Sequence, residues 1–328
     1  MRKTPSSSTR GTSTDRRDVL RAGAVFSLGG MLASNRIARA VDASDADVRL
    51  LPGFKVHKVK TSGATLHTAV GGSGPPLLLI HGAPLTHLSW YRVAPELAKK
   101  YTVVAPDLRG YGDSSKPEDG DNHINYSKRT MAQDKVELMR HFGFERFAVV
   151  GHDRGGRVAH RLALDHPDAV TRMSVLDIVP TYYLYTHVTK AFVDTYFHWF
   201  LFTRPAPFPE NIVLANPDAY LRGAPAELHE EYLRAMKDPA TVHGMCEDYR
   251  ASAGIDMQFD EADQDKKISC PLHVLWAKDG AMGRMYDVLG IWKERGTQVT
   301  GAAMPGGHTF QETHPQETLA QLLPFLAG

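Results

Sequence analysis

The stretch AVVGHDRGGRVAH, residues 148–160, joins an apolar run, a turn rich in glycine and the start of a helical pattern. The apolar run predicts a buried strand, and the residues after the turn carry apolar side chains at helical spacing. Glycines at positions 151, 155 and 156 permit a sharp turn that holds one side chain above the end of a sheet. The residue at the apex of that turn is Asp153. The stretch therefore predicts a carboxylate in the position of a nucleophile.

Outside this stretch, short apolar runs alternate with helical stretches along most of the chain. The runs from Leu77 onward lack polar alternation, as expected for strands buried on both faces of a parallel sheet. The alternation predicts an α/β fold with an eight-stranded, mostly parallel sheet. The predicted strands are Phe54–Val59, Thr65–Val70, Leu77–Ile80, Thr102–Ala105, Phe147–Val150, Met173–Leu176, Leu272–Trp276 and Gln298–Ala303. The predicted helices between them are Trp90–Lys99, Thr130–His141 and Arg154–Asp165.

The pattern changes between about Pro180 and Asp263. Aromatic residues, then prolines, then polar helical segments replace the buried-strand runs there. A helical stretch between two sets of strands predicts a cap inserted into the sheet domain. We therefore expect residues 41–180 and 264–328 to form the core and residues 181–263 to form the helical cap.

The first 40 residues differ from the rest of the chain in charge. They hold eight Lys or Arg against two Asp, whereas the remainder holds 30 basic and 35 acidic residues. Paired Arg16 and Arg17, a weakly apolar stretch and the sequence Ala38-Arg39-Ala40 form the layout of an export signal over residues 1–40. The arginine pair resembles a twin-arginine signal, so we expect a periplasmic or secreted protein. A disordered basic tail is the alternative.

The composition also indicates which kinds of partner, such as nucleic acid, membrane or metal, the protein is expected to bind. The mildly acidic body offers no basic patch for nucleic acid. Only 14 residues separate Arg21 from Arg36, too few to span a bilayer, so we expect no stable membrane insertion. Cys246 and Cys270 are isolated and define no metal site, and the sequence leaves open whether they form a disulfide. We expect a small-molecule substrate, with no metal and no cofactor.

Two further segments carry residues that we expect to act together with Asp153. Residues 81–84, His-Gly-Ala-Pro, directly follow a predicted strand. Their loop would bring the backbone N–H of Ala83 close to the nucleophile, and the N–H of Arg154 follows the nucleophile in the chain, so the two would form an oxyanion hole. His308 lies in a glycine-rich loop after the last predicted strand, where it can act as a general base.

With these motifs, residues from about 50 to 326 resemble the α/β-hydrolase superfamily, and within it the fluoroacetate and haloacetate dehalogenases. The order nucleophile, acid, histidine is the α/β-hydrolase order. The family is often dimeric, so the resemblance allows a homodimer. The matching segments are GHDRGGR (151–157), VLDIVPT (175–181), YFHWF (196–200), PAPFPE (205–210), EDYRA (247–251) and GGH (306–308).

The resemblance implies hydrolysis of short 2-haloacids through an aspartyl ester. Asp153 would displace the halide from carbon, and His308 would then activate a water that cleaves the ester. As the acid that orients this histidine, the VLDIVPT segment favours Asp177, while Asp279 occupies the position that many other α/β-hydrolases use. Where the family often has a large aromatic residue after His-Gly, this chain has Ala83, and the smaller pocket wall allows a larger 2-haloacid or a different leaving group.

Arg154 and Arg157 are three residues apart at the start of a predicted helix, so their side chains face the same way. Cations oppose the helix dipole there and are costly to bury without partners. A bound substrate carboxylate would remove both penalties. The alternative is that both arginines pair with structural acids such as Asp165. The resemblance further implies that the halide binds three cap residues, His198, Trp199 and Tyr249.

Two other functions stay open. A binding protein would capture a small carboxylate without turning it over. It would not need the complete catalytic triad of Asp153, His308 and the acid that orients this histidine. An epoxide hydrolase would use the same Asp153 and His308, but would have no need of Arg157. Its epoxide would be protonated by two tyrosines, Tyr249 and one of Tyr182, Tyr183, Tyr185 and Tyr196.

Overall fold

The computed structural model describes residues 44–328, which belong to one compact unit. The predicted export signal at residues 1–40 lies outside the described residues. An eight-stranded sheet forms the centre of the unit. Its strands are β1 Lys55–Lys60, β2 Thr65–Gly71, β3 Pro76–Ile80, β4 Thr102–Pro106, β5 Phe147–His152, β6 Val170–Leu176, β7 Leu272–Ala277 and β8 Val299–Met304.

The strands lie in the order β1-β2-β4-β3-β5-β6-β7-β8. β2 is antiparallel to both of its neighbours, and all pairs from β4 across to β8 are parallel. At the centre, Leu79 lies opposite Val150, and Val150 lies opposite Ser174. Every residue of β5 is buried, as the apolar run predicts. The predicted mostly parallel sheet is confirmed, and each predicted strand is present.

Fifteen α-helices are described, together with short 3₁₀ turns at His87–Trp90, Asp121–Tyr126 and Pro217–Tyr220. In chain order the helices are α1 Asp45–Leu50, α2 Ala94–Leu97, α3 Lys128–His141, α4 Arg154–Asp165, α5 Thr181–Thr186, α6 Lys190–Tyr196, α7 His198–Leu201, α8 Phe208–Ala215, α9 Ala226–Met236, α10 Pro239–Ala253, α11 Ile255–Ala262, α12 Ala281–Met285, α13 Val288–Lys293, α14 Phe310–Thr313 and α15 Pro315–Ala327.

Two of the three predicted helices are confirmed as α3 and α4. The third, Trp90–Lys99, is wrong, because a 3₁₀ turn ends at Trp90 and the short helix α2 begins only at Ala94. Pro95 lies near the start of α2. A proline has no N–H for the preceding helical turn, so it cannot lie in the interior of one continuous helix without breaking the hydrogen-bond pattern.

Seven helices, α5 to α11, lie between β6 and β7, and we call these residues, 181–262, the helical insertion. It has no strand among its residues, as the sequence pattern predicts. α10 is buried along most of its length. The division of the chain into a core and a cap at residues 181 and 263 stays a prediction.

The structure also bears on the expected lack of membrane insertion and on the state of the two cysteines. Within residues 44–328, no helix combines the length and the apolar character needed to cross a membrane. Cys246 and Cys270 are both free thiols.

Candidate active site

Four of the predicted functional residues follow the carboxyl ends of strands. Ala83 comes after β3, Asp153 after β5, Asp177 after β6 and His308 after β8. Because these strands are parallel, their carboxyl ends meet at one edge of the sheet, where α/β proteins bind ligands. All four residues line one cavity of about 480 Å³.

The backbone at Asp153 has a conformation that few residues with a side chain adopt. Its φ is 46° and its ψ is −116°, between the end of β5 and the start of α4. The neighbouring glycines allow this turn, since a Cβ at Gly155 would lie 2.3 Å from the carbonyl oxygen of Ile80. Strained backbone of this kind persists where the surrounding structure fixes it, and it clusters at active sites. The turn holds the Asp153 carboxylate at the cavity wall.

His308 is oriented by Asp177. Its Nδ1 lies 2.6 Å from Oδ2 of Asp177, and Oδ1 of that carboxylate accepts the backbone N–H of Ala277 at 2.9 Å. The other ring nitrogen, Nε2, lies 3.9 Å from Oδ1 of Asp153. Asp279, the alternative acid, is exposed. The geometry therefore brings Asp177 rather than Asp279 to the histidine.

Charges at the site shift two pKa values in opposite directions. Burial alone would raise the pKa of Asp153, but the positive charges of His308, His152 and both arginines outweigh it and lower the pKa to about 2. Burial would lower the pKa of His308, but the hydrogen bond and charge of Asp177, with the charge of Asp153, raise it to about 8. The resting site therefore holds an ionised Asp153 next to a protonated His308 at neutral pH.

Backbone N–H groups point toward the nucleophile. The N–H of Ala83 donates to Oδ2 of Asp153 at 3.0 Å. Arg154 is the first residue of α4, so its own N–H has no acceptor within the helix. These are the two donors that the sequence predicts for the oxyanion. Because Oδ2 is occupied by a donor, Oδ1 is the oxygen of Asp153 that is left to attack.

The two arginines differ in their surroundings, which the sequence does not predict. Arg154 is fully buried, and its Nη2 donates to Oδ1 of Asp248 at 2.7 Å while its Nε donates to Oδ2 at 3.1 Å. Asp248 also binds Lys128 and accepts the hydroxyl of Tyr111. Arg154 therefore has a structural acid as its partner, and only its Nη1 lacks one among the described residues.

Fewer guanidinium nitrogens of Arg157 than of Arg154 have hydrogen-bond partners among the described residues. Its Nη1 donates to the carbonyl of Val179 at 3.0 Å and to Oγ1 of Thr181 at 3.1 Å, both neutral acceptors. Its Nε is buried and has no partner among the described residues. Burial and the charge of Arg154 lower its pKa to about 10, so it stays charged at neutral pH. Arg157 lines the cavity, whereas Arg154 does not. Asp165, proposed as a partner, binds Arg129 instead.

The three aromatic residues predicted to bind halide lie together in the cavity wall. The ring of Tyr249 lies 5.9 Å from that of His198 and 5.7 Å from that of Trp199, between centroids. Burial raises the pKa of Tyr249 well above its usual value, and burial lowers the pKa of His198 to about 4. The hydroxyl and the indole N–H therefore stay donors, and the imidazole is neutral. The hydroxyl, the indole N–H and the one N–H of the neutral imidazole are each able to donate to a small anion.

Other residues complete the cavity. Tyr196, one of four tyrosines considered as an epoxide donor, lines it, whereas Tyr182 and Tyr183 line a separate cavity. Glu312 also lines it, accepts the hydroxyl of Tyr232 at 2.7 Å, and has a pKa that burial raises to about 7. The sequence analysis missed Glu312. Its position only four residues after His308, at the start of the segment that follows β8, is the signal that could have found it.

Known proteins resemble this chain over most of its length. Residues 75–214 match the family described as alpha/beta hydrolase fold. A fluoroacetate dehalogenase from Burkholderia sp. is 44% identical over 291 residues, which cover 85% of this chain and 95% of that protein. A soluble epoxide hydrolase from Corynebacterium sp. (strain C12) is 31% identical over 297 residues, covering 83% of this chain and 96% of that protein.

Solved structures agree with the fold. A structure from Nostoc sp. PCC 7120, titled as an alpha/beta hydrolase, is 48% identical, has a TM-score of 0.81, and covers 84% of this chain and 99% of its own. A variant of a Pseudomonas aeruginosa protein titled as an epoxide hydrolase, solved with bound MFA, is 46% identical with a TM-score of 0.79. That match covers 84% of this chain and 97% of the other. The similar structures therefore include one named as an alpha/beta hydrolase and one named as an epoxide hydrolase.

Proposed function

Because this chain belongs to the α/β-hydrolase family, we propose that it hydrolyses the carbon–halogen bond of short 2-haloacids, such as fluoroacetate or chloroacetate, to the 2-hydroxyacid and halide. One observation carries this proposal: a charged arginine with an unpaired nitrogen, Arg157, lines the same cavity as the carboxylate of Asp153. An anionic substrate would satisfy that guanidinium and be held with its carbon near the nucleophile.

In the first step, Oδ1 of Asp153 attacks the carbon that bears the halogen. The new carbon–oxygen bond forms an ester, and the carbon–halogen bond breaks with its electron pair leaving on the halide. The hydroxyl of Tyr249 and the N–H groups of Trp199 and His198 stabilise the departing anion. A carboxylate suits this displacement because it stays ionised, with a pKa of about 2.

In the second step, water attacks the carbonyl carbon of the ester. His308 takes the proton of that water, and Asp177 stabilises the imidazolium that forms. The negative charge on the carbonyl oxygen is met by the N–H groups of Ala83 and Arg154. The intermediate then collapses: the bond between the carbonyl carbon and the ester oxygen breaks, and His308 returns its proton to the departing 2-hydroxyacid. The carboxyl of Asp153, which now holds one oxygen from water, loses the second proton of that water to solvent and is ionised again.

A second candidate function is epoxide hydrolysis. It is favoured by Tyr196 and Tyr249, which line the cavity together with Asp153 and could donate protons to an epoxide oxygen. The similarity to a soluble epoxide hydrolase points the same way. Against it, an epoxide is neutral and would leave the charge of Arg157 without an anionic partner and its Nε without an acceptor among the described residues. A carboxylate-binding protein without turnover is the third alternative.

One panel of compounds tests these functions. We expect the purified protein to release halide and the 2-hydroxyacid in equal amounts from fluoroacetate, chloroacetate and 2-chloropropionate, and to leave styrene oxide and epoxyhexane unchanged. Diol formation without halide release would support an epoxide hydrolase. Binding without either product would support a carboxylate receptor. Either of those results would overturn the proposal.

The two steps should depend differently on pH. The first needs ionised Asp153, so the initial release of halide should be independent of pH above about pH 4. The second needs neutral His308, whose pKa of about 8 is partly due to the charge of Asp153. The ester removes that charge, so the rate of ester hydrolysis should rise with pH and level off below about pH 8. Rapid-mixing halide release and steady-state kcat, measured across pH, check this; one shared pH dependence would contradict it.

Arg157 should govern recognition of the acid. We expect Arg157→Met to raise KM for haloacetates by about 10–100-fold, the loss of a hydrogen bond to a charged group, with a smaller change in kcat. Arg157→Lys keeps the charge and should recover part of the loss. Arg129→Met is the matched control, because that arginine is half exposed and binds Asp165 away from the cavity. An unchanged KM in folded Arg157→Met would refute this role.

Asp177 and Asp279 should differ sharply when each is changed to asparagine. Asp177→Asn removes the charge that raises the pKa of His308, so kcat should fall by roughly 10³–10⁴-fold. Asp279→Asn should stay within about twofold, since that residue is exposed. Steady-state halide release measures both. A large loss in Asp279→Asn with none in Asp177→Asn would reverse the assignment.

A further inference from the structure

A second group of histidines and carboxylates lies outside the cavity. It consists of Asp47 in α1, His67 in β2 and His87 in the 3₁₀ turn after β3, and we call it the Asp47 cluster. All three side chains are buried, and one potential ligand atom of each lies within 4.8 Å of the others. None of the three lines the cavity that holds Asp153. The proposed hydrolysis therefore gives this cluster no role.

Among the three residues of the Asp47 cluster, His67 has the least satisfied ring nitrogens. It is 5% exposed, and neither of its ring nitrogens has a hydrogen-bond partner among the described residues. Its Nε2 lies 3.7 Å from Oδ2 of Asp47, which is longer than a hydrogen bond, and its ring centroid lies 5.0 Å from that of His87. Nε2 of His67 therefore has only this long contact with a carboxylate, and Nδ1 has no hydrogen-bond partner among the described residues. Buried polar groups that are so poorly satisfied are costly and rare in native proteins.

His87 is held in the orientation of a metal ligand. Its Nδ1 lies 2.8 Å from Oδ1 of Asp107, which also accepts the backbone N–H of His87 at 2.8 Å. This fixes Nδ1 as a donor and directs Nε2 toward Oδ1 of Asp47, 2.7 Å away. A carboxylate behind one ring nitrogen is the usual arrangement for a histidine that binds zinc through its other nitrogen, and in His87 that other nitrogen now contacts Asp47.

We propose that the Asp47 cluster binds one divalent transition-metal ion, with Zn²⁺ as the best fit. The ligands are the carboxylate of Asp47 and one ring nitrogen each of His67 and His87, and water completes four-fold coordination. Zinc bonds of about 2.0–2.2 Å place tetrahedral ligand atoms about 3.3–3.5 Å apart. One ligand atom of each residue lies within 4.8 Å of the others, so side-chain shifts would be needed to reach that spacing. Nε2 of His87 lies 2.7 Å from Oδ1 of Asp47, and Nε2 of His67 lies 3.7 Å from the other oxygen, Oδ2.

The charge of the surroundings favours a cation. His67 also forms a group with Asp107 and Asp113, in which one potential ligand atom of each residue lies within 4.8 Å of the others. When the ion binds, the proton now shared between Nε2 of His87 and Asp47 leaves to solvent. Asp47 keeps its contacts with Ser44, whose N–H and hydroxyl donate to Oδ2 at 3.0 and 2.7 Å, and can bind the ion through Oδ1. Two histidines and a carboxylate are a ligand set that zinc accepts.

A comparable cluster elsewhere lacks these features. Asp119, His243 and Glu247 also lie within ligand range of one another. Its single histidine, His243, has carboxylate partners on both ring nitrogens, Asp119 at 2.9 Å and Glu210 at 3.1 Å, as His87 also has. What this cluster lacks, among the described residues, is a second buried histidine without hydrogen-bond partners, which is the part that His67 plays in the Asp47 cluster. The guanidinium of Arg250 lies 2.7 Å from Glu247 and repels a cation. This second cluster is therefore satisfied without metal and serves as an internal control.

The proposed ion would connect three parts of the fold. α1 has only six residues and supplies only Asp47, whereas His67 belongs to the sheet and His87 to the loop that carries Ala83. Partial opening of this short helix would expose the two histidines, which gives the ion a route to a buried site. Once bound, it would fix α1 and that loop in place.

The test uses the full chain without an affinity tag, stripped with a chelator and titrated with Zn²⁺ in a calorimeter. We expect one ion per chain, confirmed by elemental analysis after gel filtration. His67→Gln and Asp47→Asn should each weaken binding by at least about 10–100-fold. His243→Gln should bind like the wild type. Circular dichroism and thermal unfolding without metal show whether each variant is folded.

Crystals of the wild-type protein soaked in Zn²⁺ give a second measurement, which does not depend on any variant folding. An anomalous peak between Asp47, His67 and His87 would support the proposal. A peak only at His243 or His308, no stoichiometric binding, or unchanged affinity in folded His67→Gln would overturn it. None of these readouts uses halide release, so the metal site and the proposed function can fail separately.

Discussion

Replacing His308 by alanine is expected to leave a single release of halide per active site and then stop turnover. The first step needs only ionised Asp153, while hydrolysis of the ester needs a general base, whose loss typically costs about 10²–10⁴-fold. The ester should therefore accumulate on Asp153. Intact-protein mass spectrometry after chloroacetate should show one added carboxymethyl group, and peptide mapping should locate it at residue 153.

Two results would contradict the prediction for His308→Ala. Steady turnover at the wild-type rate would show that this histidine is not the base. A variant that is folded but gives no halide burst and no adduct would show that Asp153 does not attack carbon. His314→Ala is the matched control, since that histidine is also near the start of a C-terminal helix and lies outside the cavity lining; it should turn over normally and carry no adduct.

Replacing Asp153 by asparagine should abolish both the burst and the steady release of halide, a loss of at least about 10⁴-fold. Asparagine keeps the shape of the side chain, and its amide oxygen can still accept the N–H of Ala83. The amide is neutral and is a far weaker nucleophile. Since the variant no longer repels an anion, haloacetate should bind it at least as tightly as the wild type.

This combination separates a lost nucleophile from a lost fold. Calorimetry with chloroacetate should show undiminished affinity in Asp153→Asn, and the double variant Asp153→Asn with Arg157→Met should lose it. Turnover that persists in Asp153→Asn would exclude the aspartyl ester. Wild-type protein turned over repeatedly in ¹⁸O-labelled water should carry the label in the carboxylate of residue 153, as the second step requires.

The sheet and the turn at Asp153 can be predicted from the sequence because neighbouring residues determine both. The apolar run Phe147–Val150 marks β5, and the glycines around Asp153 mark the turn whatever the rest of the chain does. The false helix over residues 90–99 has a local cause as well, since Pro95 lies in an otherwise helical pattern.

The partners of the charged residues cannot be predicted in this way. Asp248, which binds Arg154, comes 94 residues later in the chain. Likewise, Asp177 and Asp279 both follow strands, and only the packing of β6 beside β7 directs one of them to His308. Resemblance to known enzymes names residues, but it does not say that Arg154 is already paired while Arg157 is partly free.

The ion pairs around Asp248 also decide how substrate reaches the nucleophile. A hinged opening of α10 would have to separate one carboxylate from Arg154, Lys128 and Tyr111. Such an opening would exchange each of these buried contacts for contacts with water, which disfavours the open state. We therefore expect α10 to act as a fixed wall of the cavity rather than as a moving lid. We expect ligands to enter through smaller motions, such as those of the exposed turn at Arg222 and Gly223 in the cavity lining.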